Sequence, residues 1–375
     1  MPEDEVVPEQ FSIGTASCQN YEDNEYAAYA DVAAADLDCL VFLGDYIYEG
    51  ASRPIGTNGS VRVHGTSEPA TLAGYRARYE LYKRDSHLQA AHASCPWFII
   101  WDDHEVQNNY AGDVPADGSD PTVFRTRRDA AYRAWWEHMP VRLPEPVPGE
   151  DYTIYRSARI GKLVDMSLLD TRQYRSDQAC GDTTMSLEPA CPEVTAPGRK
   201  LLGDAQEGWL FSRLGVANAT WNVLAEQIVM TNTSFGDTIL NFDQWDGYPE
   251  ARDRLLGYVA DLGVENLIVL SGDIHFAGAA QLRVAGGLDS PVVGVEFITT
   301  SISSAGNVDP ALAGLKELLP DVVDVELTHR GWTHHTVTPD AWTAEFRIVE
   351  DAKDPESTSS TWKVFEVRSG RSEAI

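Results

Sequence analysis

Short, almost wholly apolar runs alternate along this chain with longer stretches of helical spacing. The apolar runs cover residues 11–17, 39–43, 97–101, 163–169, 223–230 and 267–270. Runs of that length suit strands buried on both faces. Between them, residues 24–35 are rich in Ala, and residues 69–93 and 121–138 carry apolar and aromatic side chains at helical spacing. Segments 202–214 and 250–262 complete the helical set. Strands alternating with helices predict an α/β layered fold. The last part reads differently: residues 292–299, 333–338 and 342–349 predict strands joined by turns, with Pro339-Asp340 as a hairpin turn. The sheet system is therefore expected to finish antiparallel. No repeat or low-complexity stretch interrupts the pattern, and we expect one domain over residues 1–375, opened by a short acidic segment, 1–10. Long loops at 51–67, 112–120 and 175–199 are candidates for functional loops.

Charge narrows the partners. The chain has 58 acidic and 29 basic residues, a formal net charge of -29. Such a field repels nucleic acid and anionic membrane surfaces, and it repels phosphate as well. A phosphate-handling site on this scaffold therefore needs bound cations to reverse the local sign. The sequence holds no apolar stretch long enough for a membrane span. The opening MPEDEVVPEQ is not a signal peptide, which fits a cytosolic chain or a mature exported one. Of the cysteines, Cys180 and Cys191 flank a loop and are expected to form a disulfide in an oxidising compartment, the alternative being two free thiols. Cys39 and Cys95 start apolar runs and are expected to be buried thiols.

Four apolar runs end in residues suited to chemistry: Ser17-Cys18-Gln19-Asn20, Gly44-Asp45-Tyr46-Ile47-Tyr48-Glu49, Trp101-Asp102-Asp103-His104-Glu105 and Ser271-Gly272-Asp273-Ile274-His275. Ligands of open α/β sheets bind at that carboxyl edge. Singly, an Asp after a strand is more often a turn former or a cap. Together, these strand ends would crowd carboxylates into one small volume, a conflict that metal ions remove. Thiolate and phenolate suit Fe(III), and carboxylates suit Ca, Mg or Mn. Asp45 follows a Gly and can bridge two ions, and Asp273-x-His275 sets two donors on one side of an extended segment.

These segments resemble the motif set of the alkaline phosphatase D (PhoD-like) family of metallophosphoesterases. Leu169-Asp170-Thr171-Arg172-Gln173-Tyr174-Arg175, Gln244-Trp245-Asp246-Gly247-Tyr248 and Arg330-Gly331-Trp332 are similar to further motifs of that family. The resemblance runs roughly from Phe11 to Val349. It implies a four-layer α/β/β/α sandwich with mixed sheets and a centre of Fe(III) with one or two Ca2+ ions. It also implies hydrolysis of phosphomonoesters or phosphodiesters, small phosphate esters being the expected partners. On that mapping Cys18, Asp45, Tyr48 and His275 hold iron, and Asp45 bridges to calcium, which Asp103 and Asp273 also contact. The broader superfamily opens with Asp-x-His where this chain has Cys18-Gln19-Asn20, which points to the D-type branch. Secreted members place such an enzyme outside the cell or in the periplasm, and a monomer is expected.

The expected reaction is in-line attack of a metal-bound hydroxide on phosphorus. His104 would protonate the leaving oxygen or orient phosphate, the alternative being a partner of Asp103. Arg172, and Arg175 beside it, would recognise phosphate or pair with Asp170. Gln227, Asn108 and Asn109 are further candidates near the edge, and at most one of His334 and His335 can face it. Tyr132, Trp135 and Trp136 read as core. Phospholipase D-like action on lipid head groups fits the same centre, and a non-catalytic metal- or phosphate-binding protein is the competing class.

Overall fold

A computed structural model describes residues 5–182, 186–284, 289–309, 314 and 316–375. Residues 1–4 of the acidic opening segment and 183–185 of the 175–199 loop lie outside the described residues. In chain order the strands are β1 (Phe11–Ala16), β2 (Cys39–Phe42), β3 (Trp97–Ile99), β4 (Arg156–Ile160), β5 (Val164–Leu168), β6 (Trp221–Ala225) and β7 (Leu267–Ser271). They continue with β8 (Ala277–Arg283), β9 (Val292–Ile298), β10 (Val322–Glu326), β11 (Arg330–Val337), β12 (Ala341–Val349) and β13 (Ser359–Arg368). The helices are α1 (Ala28–Ala34), α2 (Leu72–Tyr82), α3 (Ser86–Ser94), α4 (Pro121–His138), the single turn α5 (Ala179–Asp182), α6 (Gly203–Leu214) and α7 (Pro249–Leu262).

Two mixed sheets result. One has six strands in the order β13-β12-β11-β1-β2-β3, and the other seven in the order β10-β8-β9-β7-β6-β5-β4. Their centres are parallel: β1 with β2 and β2 with β3 in the first, β5-β6-β7-β9 in the second. Every residue of β2, β6 and β7 is buried, as continuous apolar runs demand of strands covered on both faces. The two sheets face one another. Trp221 meets Trp342 edge-on at 5.8 Å, Phe297 meets Phe346 at 6.3 Å, and Thr15 hydrogen-bonds Thr299 across the interface at 2.7 Å. Helices α1 to α4 cover the six-stranded sheet, with Tyr29 stacked towards Trp97 and Trp101 between Tyr132 and Trp135. A second apolar cluster joins Leu210 and Leu214 of α6, and Leu255, Leu256 and Val259 of α7, to Leu224 and Val269 of the seven-stranded sheet. The layers are thus helix, sheet, sheet, helix.

Several expectations need correction. The helix read over 69–93 is two helices, because the Asp85 carboxylate accepts the His87 and Leu88 backbone N–H groups and so starts α3 afresh. The run at 223–230 is a strand only to Ala225, after which the chain turns across the sheet edge. Strands β4, β8, β10 and β13 are not among the strands that the sequence predicts: β8 opens on four Ala and Gly residues, and β13 is a polar-apolar alternation with much of its length in water. Cys180 and Cys191 form a disulfide, and Cys39 and Cys95 are buried free thiols.

Candidate metal centre

The site lies where β1, β2, β3 and β7 end. The turn after β2 depends on Gly44, whose φ is +117°. A Cβ there would lie 2.5 Å from the Asp102 Cβ and 2.8 Å from the Asp102 nitrogen, so only glycine lets the two loops touch. The buried Glu105 carboxylate then fastens them: it accepts the N–H groups of Asp45 (3.0 Å), Tyr46 (2.6 Å) and Asp102 (2.9 Å). The loop after β1 joins the same unit through Cys18 N to Gly44 O at 3.1 Å and Gln19 N to Asp45 O at 3.0 Å. Of the nine non-glycine residues with positive φ among the described residues, Cys18, Asp45, Asn109, Asp273 and His275 are all at this site. Backbone strain concentrated in this way marks a functional constellation rather than ordinary turns.

The donors expected from the sequence come together. Three groups have ligand atoms within 4.8 Å of one another: Cys18, Asp45 and His275; Asp45, Asp103 and His104; and Asp45, Asp102, Asp103 and Asp273. Asp45 belongs to all three. The Tyr48 hydroxyl donates to Asp45 Oδ2 at 2.9 Å and lies 3.2 Å from His275 Nε2, which adds a phenol to the first group. His275 Nδ1 lies 2.5 Å from the Ala305 carbonyl oxygen. A carbonyl only accepts, so Nδ1 carries the proton and Nε2 offers its lone pair to the cluster. Above the donors opens a cavity of about 290 Å3, lined among others by Asp45, Asp103, His104, Asn108, Asn109 and Asp273. Cys18 and Tyr48 do not line it and sit beneath.

Electrostatics separate the carboxylates into two kinds. Burial pushes the Asp45 carboxyl well above the ordinary range, as do its neighbours Asp103, Asp102 and Glu105, against the opposing pull of His104. Burial and Asp102 do the same to Asp273. Burial raises the Cys18 thiol and the Tyr48 phenol, and Asp45 raises each further. Asp103 is equally buried, yet Arg172 and His104 outweigh the burial and hold it below its ordinary value. A thiol, a phenol and two carboxyls whose ionisation is opposed first by burial and then by one another fit a cation-binding site, since a cation lets all of them ionise.

Arg172 lies behind this cavity rather than in its lining, fully buried. Its guanidinium grips both oxygens of Asp243 at 2.7 Å, contacts Asp102, and stands 3.9 Å from Asp103 and 3.8 Å from Asp273. Arg175 binds the same Asp243 at 2.6 Å. The ion pair proposed with Asp170 is absent, because Asp170 accepts backbone N–H groups of Arg172 and Gln173 instead. Gln227 has both ends of its amide engaged, by Thr171 and by the carbonyls of Trp101 and Leu169. His335 lies between the sheets, held by Thr15 and Trp342, and His334 bonds Ser12, so neither reaches the site. Sequence reasoning missed Asp243, Asn241 and Asn307 in the lining, and the 2.6 Å contact from Glu49 to His104 Nδ1. Glu49 also accepts the Asn108 N–H at 2.7 Å. Burial alone would lower the His104 pKa, but Glu49, Asp103 and Asp45 raise it well above its ordinary value.

A model of the PhoD-like phosphatase family matches residues 12–346. The chain belongs to that family. It is 41% identical over 363 residues to alkaline phosphatase D of Bacillus subtilis (strain 168), covering 95% of this chain and 62% of that relative. The chain thus spans under two thirds of the relative's length. A solved structure described as the structure of PhoD superposes with a TM-score of 0.93 at 39% identity, over 98% of this chain and 71% of that one. A looser overlap, with GAP50, the anchor in the inner membrane complex of Plasmodium, has a TM-score of 0.47 at 10% identity, over 94% of this chain and 89% of that one. The PhoD-like fold expected from the sequence is therefore the fold observed, and its sheet edge carries the donor cluster.

Proposed function

We propose that this chain is a metal-dependent phosphoesterase that hydrolyses small phosphate mono- and diesters. One observation carries the reading: Asp45 is shared by three donor groups at the edge of a PhoD-like sandwich. Cys18, Tyr48, His275 and Asp45 would hold Fe(III), since thiolate and phenolate favour it. Asp45, Asp103 and Asp273, with Asp102 adjoining, would hold Ca2+ through oxygen alone. When bound, such ions polarise phosphoryl oxygens and make water nucleophilic near neutral pH.

The chain's own residues supply the rest. Glu49 orients His104 through Nδ1, which leaves Nε2 to deliver a proton to the departing ester oxygen as water's oxygen bonds to phosphorus. Asn108 and Asn109 line the cavity beside it and suit neutral hydrogen bonding to phosphoryl oxygens. Arg172 is a positioning residue: it fixes Asp102 and Asp243 and partly neutralises Asp103 and Asp273. We assign the protein to an extracellular or periplasmic setting, which the Cys180–Cys191 disulfide supports. Among the described residues no helix is long and apolar enough to cross a membrane. A single catalytic domain acting as a monomer completes the reading. Elemental analysis of the purified protein, paired with hydrolysis of mono-aryl and bis-aryl phosphates, tests it. Iron and calcium with turnover of either ester are expected; bound metal without turnover would indicate a binding protein, and no metal would remove the reading.

A further inference from the structure

Beside the donor cavity lies a second, larger cleft of about 400 Å3. The two share Asn241, Ile274 and Val308 in their walls. Ile274 sits in the chain between Asp273 and His275, so a group entering the cleft stays within one residue of two candidate ligands. The cleft floor is the apolar cluster of Val229, Ile274 and Ile298, with Phe276 packed against it. Val322 and Val325 of β10, paired with β8 in the same sheet, extend the apolar lining.

Most polar side chains on those walls are engaged within the protein. Thr231 Oγ1 donates to Glu296 at 2.5 Å, and Thr233 Oγ1 to Asp246 at 2.6 Å. Gln244 donates to Asp273 at 2.5 Å and accepts the Val229 N–H at 2.6 Å. Lys316 is paired with Asp324 at 2.6 Å. An occupant therefore meets hydrocarbon and few free hydrogen-bonding groups. The donor cavity is lined chiefly by asparagines, aspartates and histidines, with Ile274 and Val308 where it meets the cleft.

We propose that the cleft is a subsite for an apolar substituent, so that the preferred substrate is a phosphodiester with a hydrocarbon chain on one ester oxygen. This rests on the phosphoesterase reading above and narrows it. The phosphate occupies the donor cavity, the hydrocarbon passes Ile274 into the cleft, and water cleaves the P–O bond to the other substituent, which leaves as its alcohol. Whether the hydrocarbon belongs to a lipid or to a small alkyl ester follows from the chain length that the cleft accepts.

Binding of n-alkyl methylphosphonates, from methyl to octyl, to the metal-loaded protein by titration calorimetry tests this. The same series as p-nitrophenyl alkyl phosphates supplies kcat/KM. Affinity and kcat/KM should rise about threefold to fourfold per methylene until the cleft is full. Val325→Glu should abolish that dependence while leaving the methyl member's binding and turnover unchanged, and the milder Val322→Thr should weaken it. A flat series with normal binding of the methyl member overturns the subsite and leaves the phosphoesterase reading standing. A length dependence that survives both substitutions overturns its assignment to this cleft. Absence of binding and turnover throughout the series overturns the phosphoesterase reading itself.

Discussion

Two clusters of buried carboxylates lie side by side in this molecule and behave oppositely. Asp243 sits against Arg172 and Arg175, and those charges hold its carboxyl far below the ordinary range although burial opposes them. Asp45 is as deeply buried and Asp273 is half-buried, and both are pushed up. The difference is the source of the counter-charge. Behind the cavity the fold brings its own cations as guanidinium groups. In front, His104 beside Asp45 and Arg172, 3.8 Å from Asp273, do not offset the burial, and the other neighbours are a thiol, a phenol and an imidazole that are donors to a cation. A buried acid whose positive neighbours do not offset its burial is thus a sign of a partner from solvent.

Removal of that partner gives the largest expected effect. Stripping the protein with EDTA should abolish phosphoester hydrolysis, and joint addition of iron and calcium should restore it; full activity in the chelated protein would erase the distinction between the clusters. Next comes His104→Ala, which should lower kcat by about 10²- to 10⁴-fold with metal content unchanged. Unchanged turnover would take His104 out of the reaction. On the other side of the comparison, Arg172→Met should cost about 3–5 kcal/mol in denaturant unfolding, because it leaves Asp102 buried without its cation and Asp243 with Arg175 alone. A loss below about 1 kcal/mol would mean that Arg175 alone suffices.

The smallest effect concerns a buried group that takes neither charge. Trp342 Nε1 donates to His335 Nδ1 at 3.0 Å, so His335 is neutral with its proton on Nε2. Burial, and the neighbouring His334, depress its pKa from 6.5 to about 3. A histidine with a depressed folded value binds its proton more readily when unfolded. Its contribution to stability is therefore present above pH 6.5 and is lost as pH falls towards about 3. His335→Gln should flatten that part of the pH–stability curve. An unchanged acid limb would place the loss elsewhere.

The sequence was most informative where function and local pattern coincide. Asp45, Asp103, Asp273 and His275 each follow a short apolar run, and the structure gathers them because β2 and β3 are neighbours in one sheet and β7 ends beside them in the other. Helices α4 and α7 were legible through helical apolar spacing, and the structure starts them on Pro121 and Pro249. Arg172 was picked out but its partner was not, because Asp243 lies 71 residues further on in a loop with no local signature. Glu105 looked like one more acid of the motif, whereas its work is to accept three backbone N–H groups. The apolar cleft was invisible for a similar reason: Val229, Ile274, Ile298 and Val325 come from four separate segments.

The contact at Gly44 has a mechanical meaning. With 2.5 Å between its missing Cβ and Asp102, and with Cys18 and Gln19 bonded to the same turn, three of the four donor-bearing loops are welded into one plate. The fourth, from Asp273 to His275, hangs on the other sheet and meets that plate chiefly through side chains. The distance from Asp45 to His275 is therefore set by how the two sheets are seated on one another, which the backbone bonds from Ile302 to Ser17 and from Ser304 to Cys18 fix across the interface.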